Sequence, residues 1–344
     1  MKEIKIQDQW VGAGRPVYVI AEIGGNFQDF GAAQKLIDLA QKAGVNAVKL
    51  QHYRADTVTS RRAMFDMENT GVLSQYELFK EYELGDELTA EVVSYCREKK
   101  MTVFTTPAHP SDVDRLGKYD LPAYKIGSDD AVNVPLLKYV AKIGKPILLS
   151  TGMCTMSEVA ASVDAILEEG NDQIILFHCT TSYPVHPESV NLRAMVALQK
   201  QFEFPVGYSD HTLGIDVCYA AAVLGAPVLE FHFTYDKNAD GPDHILSKDY
   251  EETRELVRKV RQLPVLIGDG VKRPMPSEMN TRRNNRKSLV LTKNVKAGEK
   301  ISPANMDIKR PGYGIPCAHY YHVLGKTAGR DLTADDVLTW EDIC

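Results

Sequence analysis

The sequence predicts an α/β protein: a (β/α)8 TIM barrel followed by a small C-terminal domain. Three observations carry that reading. Short β-branched runs alternate with helical patterns in eight successive units, the pattern of a closed parallel barrel. Almost every apolar run ends in a polar or charged residue, as expected where the strand ends converge on one mouth. The alternation stops after Leu266, and short strands and turns follow. A doubly wound open sheet is the rival arrangement, but no GxGxxG phosphate loop follows the first strand.

Val17 to Glu22 reads as the first strand and Ala32 to Ala43 as its helix, with Asn46 to Gln51 the second strand. After an excursion through residues 52–84, Thr89 to Lys99 is the next helix and Thr102 to Thr105 the third strand. A short helix from Asp112 to Leu116 precedes a fourth strand around Ala123 to Ile126; Pro146 to Ser150 is the fifth and Gln173 to His178 the sixth. The last two strands begin with Phe204 to Gly207 and Pro227 to Leu229, separated by a helical stretch, Ile215 to Leu224. A final helix runs from Tyr250 to Arg261. The barrel is assigned to residues 1–268, a basic linker to 269–284 and the small domain to 285–344.

The stretch around which the chain is organised is Tyr208-Ser209-Asp210-His211-Thr212, with its echo Glu230-Phe231-His232-Phe233. Together they put a histidine at the carboxyl end of each of two neighbouring strands, where two imidazoles can share a divalent metal. Taken singly, either histidine reads more readily as a capping or core residue; the pair at equivalent positions favours the metal site. The other strand ends supply Glu22, Lys49, Gln51, Thr105, Thr106, Lys125, Gly127, Ser128, Asp130, Ser150, Thr151, Gly152, Thr180, Thr181 and Tyr183. A lysine in an apolar strand is costly to bury unpaired, so Lys49 and Lys125 each call for an anion. Hydroxyls and glycine amides beside them suit phosphate and carboxylate together. The bland alternative is that the lysines pair with Glu22, Asp130 or Glu230. Lys125 also admits a Schiff-base role with a carbonyl substrate.

Composition excludes several classes. The net charge of −6, with both signs interspersed, argues against a nucleic-acid partner. No apolar run approaches bilayer length, which argues against a membrane partner, and Met1 to Lys5 lack an apolar signal region, so a cytoplasmic location is expected. Six cysteines without CxxC spacing read as reduced thiols, not a zinc site, and Cys179 as a small strand-end residue.

The motifs Ala21-Glu22-Ile23-Gly24, Val48-Lys49-Leu50-Gln51, Thr106-Pro107, Ala123-Tyr124-Lys125-Ile126-Gly127-Ser128, Leu149-Ser150-Thr151-Gly152-Met153, His178-Cys179-Thr180 with Tyr183-Pro184, Ser209-Asp210-His211-Thr212-Leu213 and Gly241-Pro242-Asp243 together resemble the sialic acid synthase family. Lys309-Arg310-Pro311-Gly312 is similar to that family's antifreeze-like (SAF, β-clip) domain. The resemblance spans nearly the whole chain. It implies condensation of phosphoenolpyruvate with an N-acylated amino-sugar aldose and water to give a nonulosonic acid and phosphate. His211 and His232 would ligate manganese or magnesium, and Lys49, Thr106, Lys125, Ser128, Ser150 and Ser209 would hold phosphoenolpyruvate. Gln51, Thr181, Tyr183, Asp243 and Glu22 would face the substrates, with Glu22 and Asp130 the candidates for proton handling. The resemblance further implies a domain-swapped homodimer in which Arg310 reaches the sugar in trans. N-acetylmannosamine is the default acceptor, with diacetamido-trideoxyhexoses alongside it.

The chain departs from the family pattern at Phe27, where histidine is usual, at Thr181, at Asp130 in place of glutamate, and at Phe231 in place of arginine. Residues 52–84 match poorly, and Asn69 is a loose candidate for a sugar contact there. Two other classes remain at this point: a Schiff-base pyruvate aldolase using Lys125, and a sugar-binding protein without turnover.

Overall fold

The computed structural model describes residues 2–67 and 71–344, so Asn69 lies outside the described residues. It forms two compact units, Met1–Gly268 and Asp269–Cys344. In the first, eight strands close a parallel barrel in chain order: β1 (Tyr18–Glu22), β2 (Ala47–His52), β3 (Thr102–Pro107), β4 (Tyr124–Ile126), β5 (Ile147–Ser150), β6 (Ile174–Cys179), β7 (Val206–Asp210) and β8 (Val228–His232). Each is followed by a helix: α1 (Phe30–Ala43), α2 (Asp86–Glu98), α3 (Pro110–Gly117), α4 (Val134–Ala141), α5 (Met156–Leu167), α6 (Leu192–Gln201), α7 (Asp216–Val223) and α8 (Tyr250–Ile267).

Alternation along each strand sorts its side chains between two cores. Tyr18, Ile20, Ala47, Phe104, Ala123, Leu148, Ile175, Phe177 and Val228 pack with one another inside the barrel. Their neighbours, among them Ala21, Val48, Val103, Ile126, Leu149, Leu176, Leu229 and Phe231, pack against the helices. Continuing the inward parity along each strand gives Glu22, Lys49, Gln51, Thr106, Lys125, Ser150, Cys179, Ser209, Glu230 and His232. The polar residues at the strand ends are therefore the top of the barrel's own interior. Phe231, a departure from the family pattern, belongs to the helix-facing set and is buried.

An N-terminal hairpin, Ile4–Ile6 paired with Gln9–Val11, was not anticipated; its Ile4, Ile6 and Val11 join the interior cluster beside Tyr18 and close the amino end. The excursion between β2 and α2 carries a hairpin (Met64–Met67 with Gly71–Ser74) and a helix, Gln75–Tyr82. Capping boxes at Thr155–Glu158 and Asp249–Glu252 start α5 and α8. Helix α8 continues past the expected end at Arg261, because Pro264 falls in its last turn and removes only one backbone donor. Among the described residues, no helix is long and apolar enough to cross a membrane.

The second unit, from Asp269, carries helix α9 (Met279–Asn285), so the basic stretch read as a linker is partly helical. Strands β9 (Ser288–Leu291) and β10 (Met306–Lys309) pair antiparallel over a core that includes Leu289, Leu291, Ile301, Met306, Leu332 and Leu338. Arg310 follows β10 directly and is exposed.

Candidate active site

Register brings the charged strand ends side by side. His232 lies opposite Glu22 across β8 and β1, Glu22 opposite Lys49 across β1 and β2, and Cys179 opposite Ser209 across β6 and β7. The Lys49 ammonium pairs with Glu22, lies 3.4 Å from Glu230 Oε1 and donates to Thr106 Oγ1 at 3.2 Å. Lys125 donates to Ser150 Oγ at 2.6 Å and to the Ile126 carbonyl at 3.2 Å, with Glu230 Oε1 at 3.6 Å. The Phe177 ring, 5.4 Å from the Lys125 ammonium, marks where the apolar interior gives way to this polar layer. Glu230 thus bridges both lysines, while Ser209 Oγ lies 3.5 Å from the same carboxylate oxygen.

Burial decides how these groups hold their protons. It pushes the Glu22 carboxyl up despite Lys49, and pushes the Lys125 ammonium down. At Glu230 burial opposes ionisation, but Lys125 and Lys49 outweigh it and hold the carboxyl below the usual range. At Lys49 Glu22 and Glu230 outweigh burial and hold the ammonium above its ordinary value.

Beside the lysines, the Gly152 amide donates to Ser128 Oγ at 3.0 Å. A Cβ at Gly152 would stand 2.4 Å from Thr181 Oγ1 and 2.7 Å from Ser128 Oγ, so only glycine lets these groups meet. Thr181 Oγ1 is buried without a hydrogen-bond partner. With the Gly152 amide engaged on Ser128 Oγ, the unpartnered Thr181 hydroxyl is the donor this cradle leaves for an anion.

Across the mouth, the His211 and His232 rings lie 5.3 Å apart, and Tyr183 packs on His211 at 4.2 Å. His211 Nδ1 donates to the Thr180 carbonyl at 3.0 Å, which fixes its tautomer and leaves Nε2 as the free lone pair. Asp243 Oδ2 stands 3.3 Å from His232 Nδ1, and a Cβ at Gly25 would come within 3.1 Å of that oxygen. Burial opposes ionisation of Asp243, yet His232 beside it holds the carboxyl below its ordinary range. Gln51 packs against Gly24, where a Cβ would meet the Gln51 backbone nitrogen at 2.6 Å.

Two imidazoles form a small donor set. Among the described residues, no group of three or more His, Cys, Asp or Glu side chains is arranged to hold a metal ion. An ion held by this pair would have to complete its shell with water and substrate oxygens, unlike the closed four-ligand shell of a structural zinc site.

Not every candidate joins this cluster. Asp130 accepts from Asn133 Nδ2 at 2.8 Å, and its carboxyl, pushed up to about 6 by burial, is influenced by Asp129 and Asp112. The lysines pair with Glu22 and Glu230 instead, because Asp130 sits in the turn beyond β4 and bonds to the residue capping α4. Arg310 belongs to the other compact unit. Cys179, read as a small strand-end residue, places its sulfur 3.8 Å from His211 Nδ1; burial raises its thiol, but His211 and Lys125 outweigh that and bring it below its ordinary value. Pairing of the lysines with Glu22 and Glu230 is the alternative the sequence offered; that one carboxylate serves both lysines was not anticipated, nor was the ion pair of Lys248 Nζ with Asp210 Oδ2 at 2.8 Å. A solitary lysine after Leu246-Ser247 carries no motif, and its only signal was the capping Asp249 beside it.

Residues 36–272 match the NeuB family, and residues 286–343 match the SAF domain. The chain belongs to the NeuB family. An uncharacterized protein of Methanocaldococcus jannaschii is 41% identical over 344 residues, covering 100% of this chain and 99% of its own. The N,N'-diacetyllegionaminic acid synthase of Campylobacter jejuni is 37% identical, over 93% of this chain and 98% of its own. Among solved structures, the N-acetylneuraminic acid (sialic acid) synthetase of Leptospira borgpetersenii superposes with a TM-score of 0.72 at 30% identity, covering 81% of this chain and 95% of its own. This NeuB-family chain therefore has relatives that are synthases of nonulosonic acids, and it is an enzyme of that family.

Proposed function

We propose that the chain condenses phosphoenolpyruvate with an N-acylated amino-sugar aldose and water, releasing a nonulosonic acid and inorganic phosphate. The observation that carries this reading is the pair of buried lysines sharing Glu230 beside the Ser128–Gly152–Thr181 cradle, with two imidazoles across the same mouth. One substrate with two anionic ends matches two cations and a cradle. The relatives' names support the acid-synthase class, and the higher identity to the diacetyllegionaminic acid synthase puts a diacetamido-trideoxyhexose ahead of N-acetylmannosamine as the acceptor.

In this mechanism Lys49, Thr106, Lys125, Ser150 and Ser209 hold the phosphoenolpyruvate carboxylate and phosphate, with Ser128 and Thr181 at the cradle. C3 of the enol attacks the open-chain aldehyde carbon, forming the new C–C bond and leaving positive charge at C2. Water adds to C2, and the tetrahedral adduct expels phosphate by C–O cleavage, leaving a 2-keto acid. Glu22, the buried strand-end carboxyl paired with Lys49, handles the proton of the oxygen that was the aldehyde, taking it up and passing it on as substrate charge develops beside the pair. That role falls to Glu22 rather than Asp130, which faces Asn133. Gln51, Tyr183 and Asp243 orient the sugar. His211 and His232 would hold a manganese or magnesium ion, which when bound would supply polarisation of the aldehyde oxygen. Following the family resemblance, Arg310 acts in trans within a domain-swapped homodimer.

A second reading keeps one specific observation: burial lowers Lys125, as a Schiff-base amine requires. Phosphoenolpyruvate carrying ¹⁸O at the bridging oxygen separates the two. The synthase sends the label into phosphate, only when sugar is present, and leaves Lys125 unmodified after borohydride treatment with pyruvate. A reduced pyruvate adduct on Lys125 would establish the aldolase instead.

A further inference from the structure

We propose that Lys248 is a positioning residue that ties the two histidine-bearing strand ends into one unit, an inference that rests on the reading that His211 and His232 act together. Lys248 lies between Ser247 and Asp249, the residue that caps α8, and pairs through its backbone with the segment following β8. Its N–H donates to the His232 carbonyl at 2.8 Å, and its own carbonyl accepts from the Thr234 N–H at 3.0 Å. Its side chain runs to the other histidine. Lys248 Nζ donates to Asp210 Oδ2 at 2.8 Å and to the Thr212 carbonyl at 3.3 Å, the residues immediately before and after His211.

Asp210 is saturated on its own side. It accepts from the Thr212 N–H at 3.0 Å, from the Thr212 hydroxyl at 2.8 Å and from the Cys218 thiol at 3.2 Å. The ion pair is fully enclosed, with the Lys248 and Asp210 side chains 2% and 0% exposed, and the Phe231 ring lies 5.4 Å from the ammonium. A buried pair contributes little net stability compared with apolar packing, but it is strongly directional, and every acceptor here belongs to the turn carrying His211. Both Asp210 and Phe231 have the helix-facing parity, so the pair stands behind the imidazoles and leaves the mouth clear. One residue therefore fixes the turn that aims His211 and the carbonyl of His232, much as outer-shell partners fix ligating histidines.

The test uses the full chain in four forms: wild type, Lys248→Met, Lys248→Arg, and Lys248→Met combined with Asp210→Asn. The last removes both charges without stranding either. Circular dichroism reports folding, calorimetry without metal reports phosphoenolpyruvate binding, and electron paramagnetic resonance reports manganese(II) binding. Long-range ¹H–¹⁵N spectra of the metal-free protein report the imidazole tautomers. The folded double variant is expected to keep phosphoenolpyruvate affinity, lose about 10- to 100-fold in manganese(II) affinity, and lose the single Nδ1–H tautomer of His211. Lys248→Arg, which keeps the cation, is expected to retain that tautomer. Wild-type manganese(II) affinity and imidazole spectra in the folded double variant would overturn the proposal. If the double variant does not fold, a wild-type His211 tautomer in folded Lys248→Met overturns it, and loss of that tautomer in Lys248→Met with retention in Lys248→Arg supports it. A wild-type protein that binds no manganese(II) defeats the metal reading alone, since the metal-free spectra still decide whether Lys248 positions the rings.

Discussion

At the scale of single side chains, the barrel mouth is governed by how two buried ammonium groups find counter-charge. Lys125 and Lys49 lie 3.6 and 3.4 Å from the same Glu230 oxygen. Glu230→Gln leaves the cations short of an anion, at a cost of about 1–3 kcal/mol in the substrate-free protein. Phosphoenolpyruvate restores the missing charge, so its stabilising thermal shift should be larger in Glu230→Gln than in wild type. Equal shifts in a fluorimetric melt would contradict that role. His52 gives a separate, pH-dependent prediction. It is 1% exposed, neither ring nitrogen has a hydrogen-bond partner, and burial lowers its pKa from 6.5 to about 4. Because the folded value lies below the unfolded one, the unfolded chain takes up the extra proton and stability falls as pH drops from 6.5 towards 4. The shift corresponds to about 3 kcal/mol. His52→Leu should remove that part of the acid limb, read from urea midpoints at pH 7 and pH 4.5, and should cost little at neutral pH. An unchanged limb would show that His52 is not the group responsible.

At the scale of elements, strand-to-helix turns carry the chemistry while the strands set direction. The strands were legible as short apolar runs between helical patterns, being buried on both faces, while the inward parity that aims Lys49, Lys125, Ser209 and His232 at the mouth shows only in the structure. Other features carried no such signal. The N-terminal hairpin has strands too short to show a period, and its role is visible only when Ile6 and Val11 meet the barrel interior. Asp130 looked like a mouth carboxylate because it follows β4 closely, yet its hydrogen bond goes to the cap of α4. Lys248 is distant in sequence from Asp210, and nothing in either local pattern announces the pair. The turn after β5 supplies the prediction at this scale. Gly152→Ala puts a methyl group within 2.4 Å of Thr181 Oγ1 and 2.7 Å of Ser128 Oγ. KM for phosphoenolpyruvate should rise at least about tenfold, equivalent to one lost charge-assisted hydrogen bond, while the melting temperature changes little. An unaltered KM would mean that the cradle does not bind the substrate.

At the scale of the whole molecule, the chain comprises a barrel unit and a small SAF unit, and the proposed in-trans action of Arg310 joins two copies. Co-expression of Arg310→Ala with His211→Ala tests it. If Arg310 serves the partner's barrel, mixed dimers contain one intact site, and activity should return to about a quarter of wild type from two inactive parents. If it serves its own barrel, the mixture stays inactive. The central claim, that one mouth holds phosphoenolpyruvate on its lysines and joins it to an amino sugar, is tested most directly by phosphate release. The assay supplies phosphoenolpyruvate and manganese with a panel of N-acetylmannosamine and diacetamido-trideoxyhexoses, with and without EDTA, for wild type, Lys125→Met and His211→Ala. The account predicts sugar-dependent release that EDTA and either substitution abolishes. Sugar-independent release, or release that survives the loss of Lys125, would contradict it.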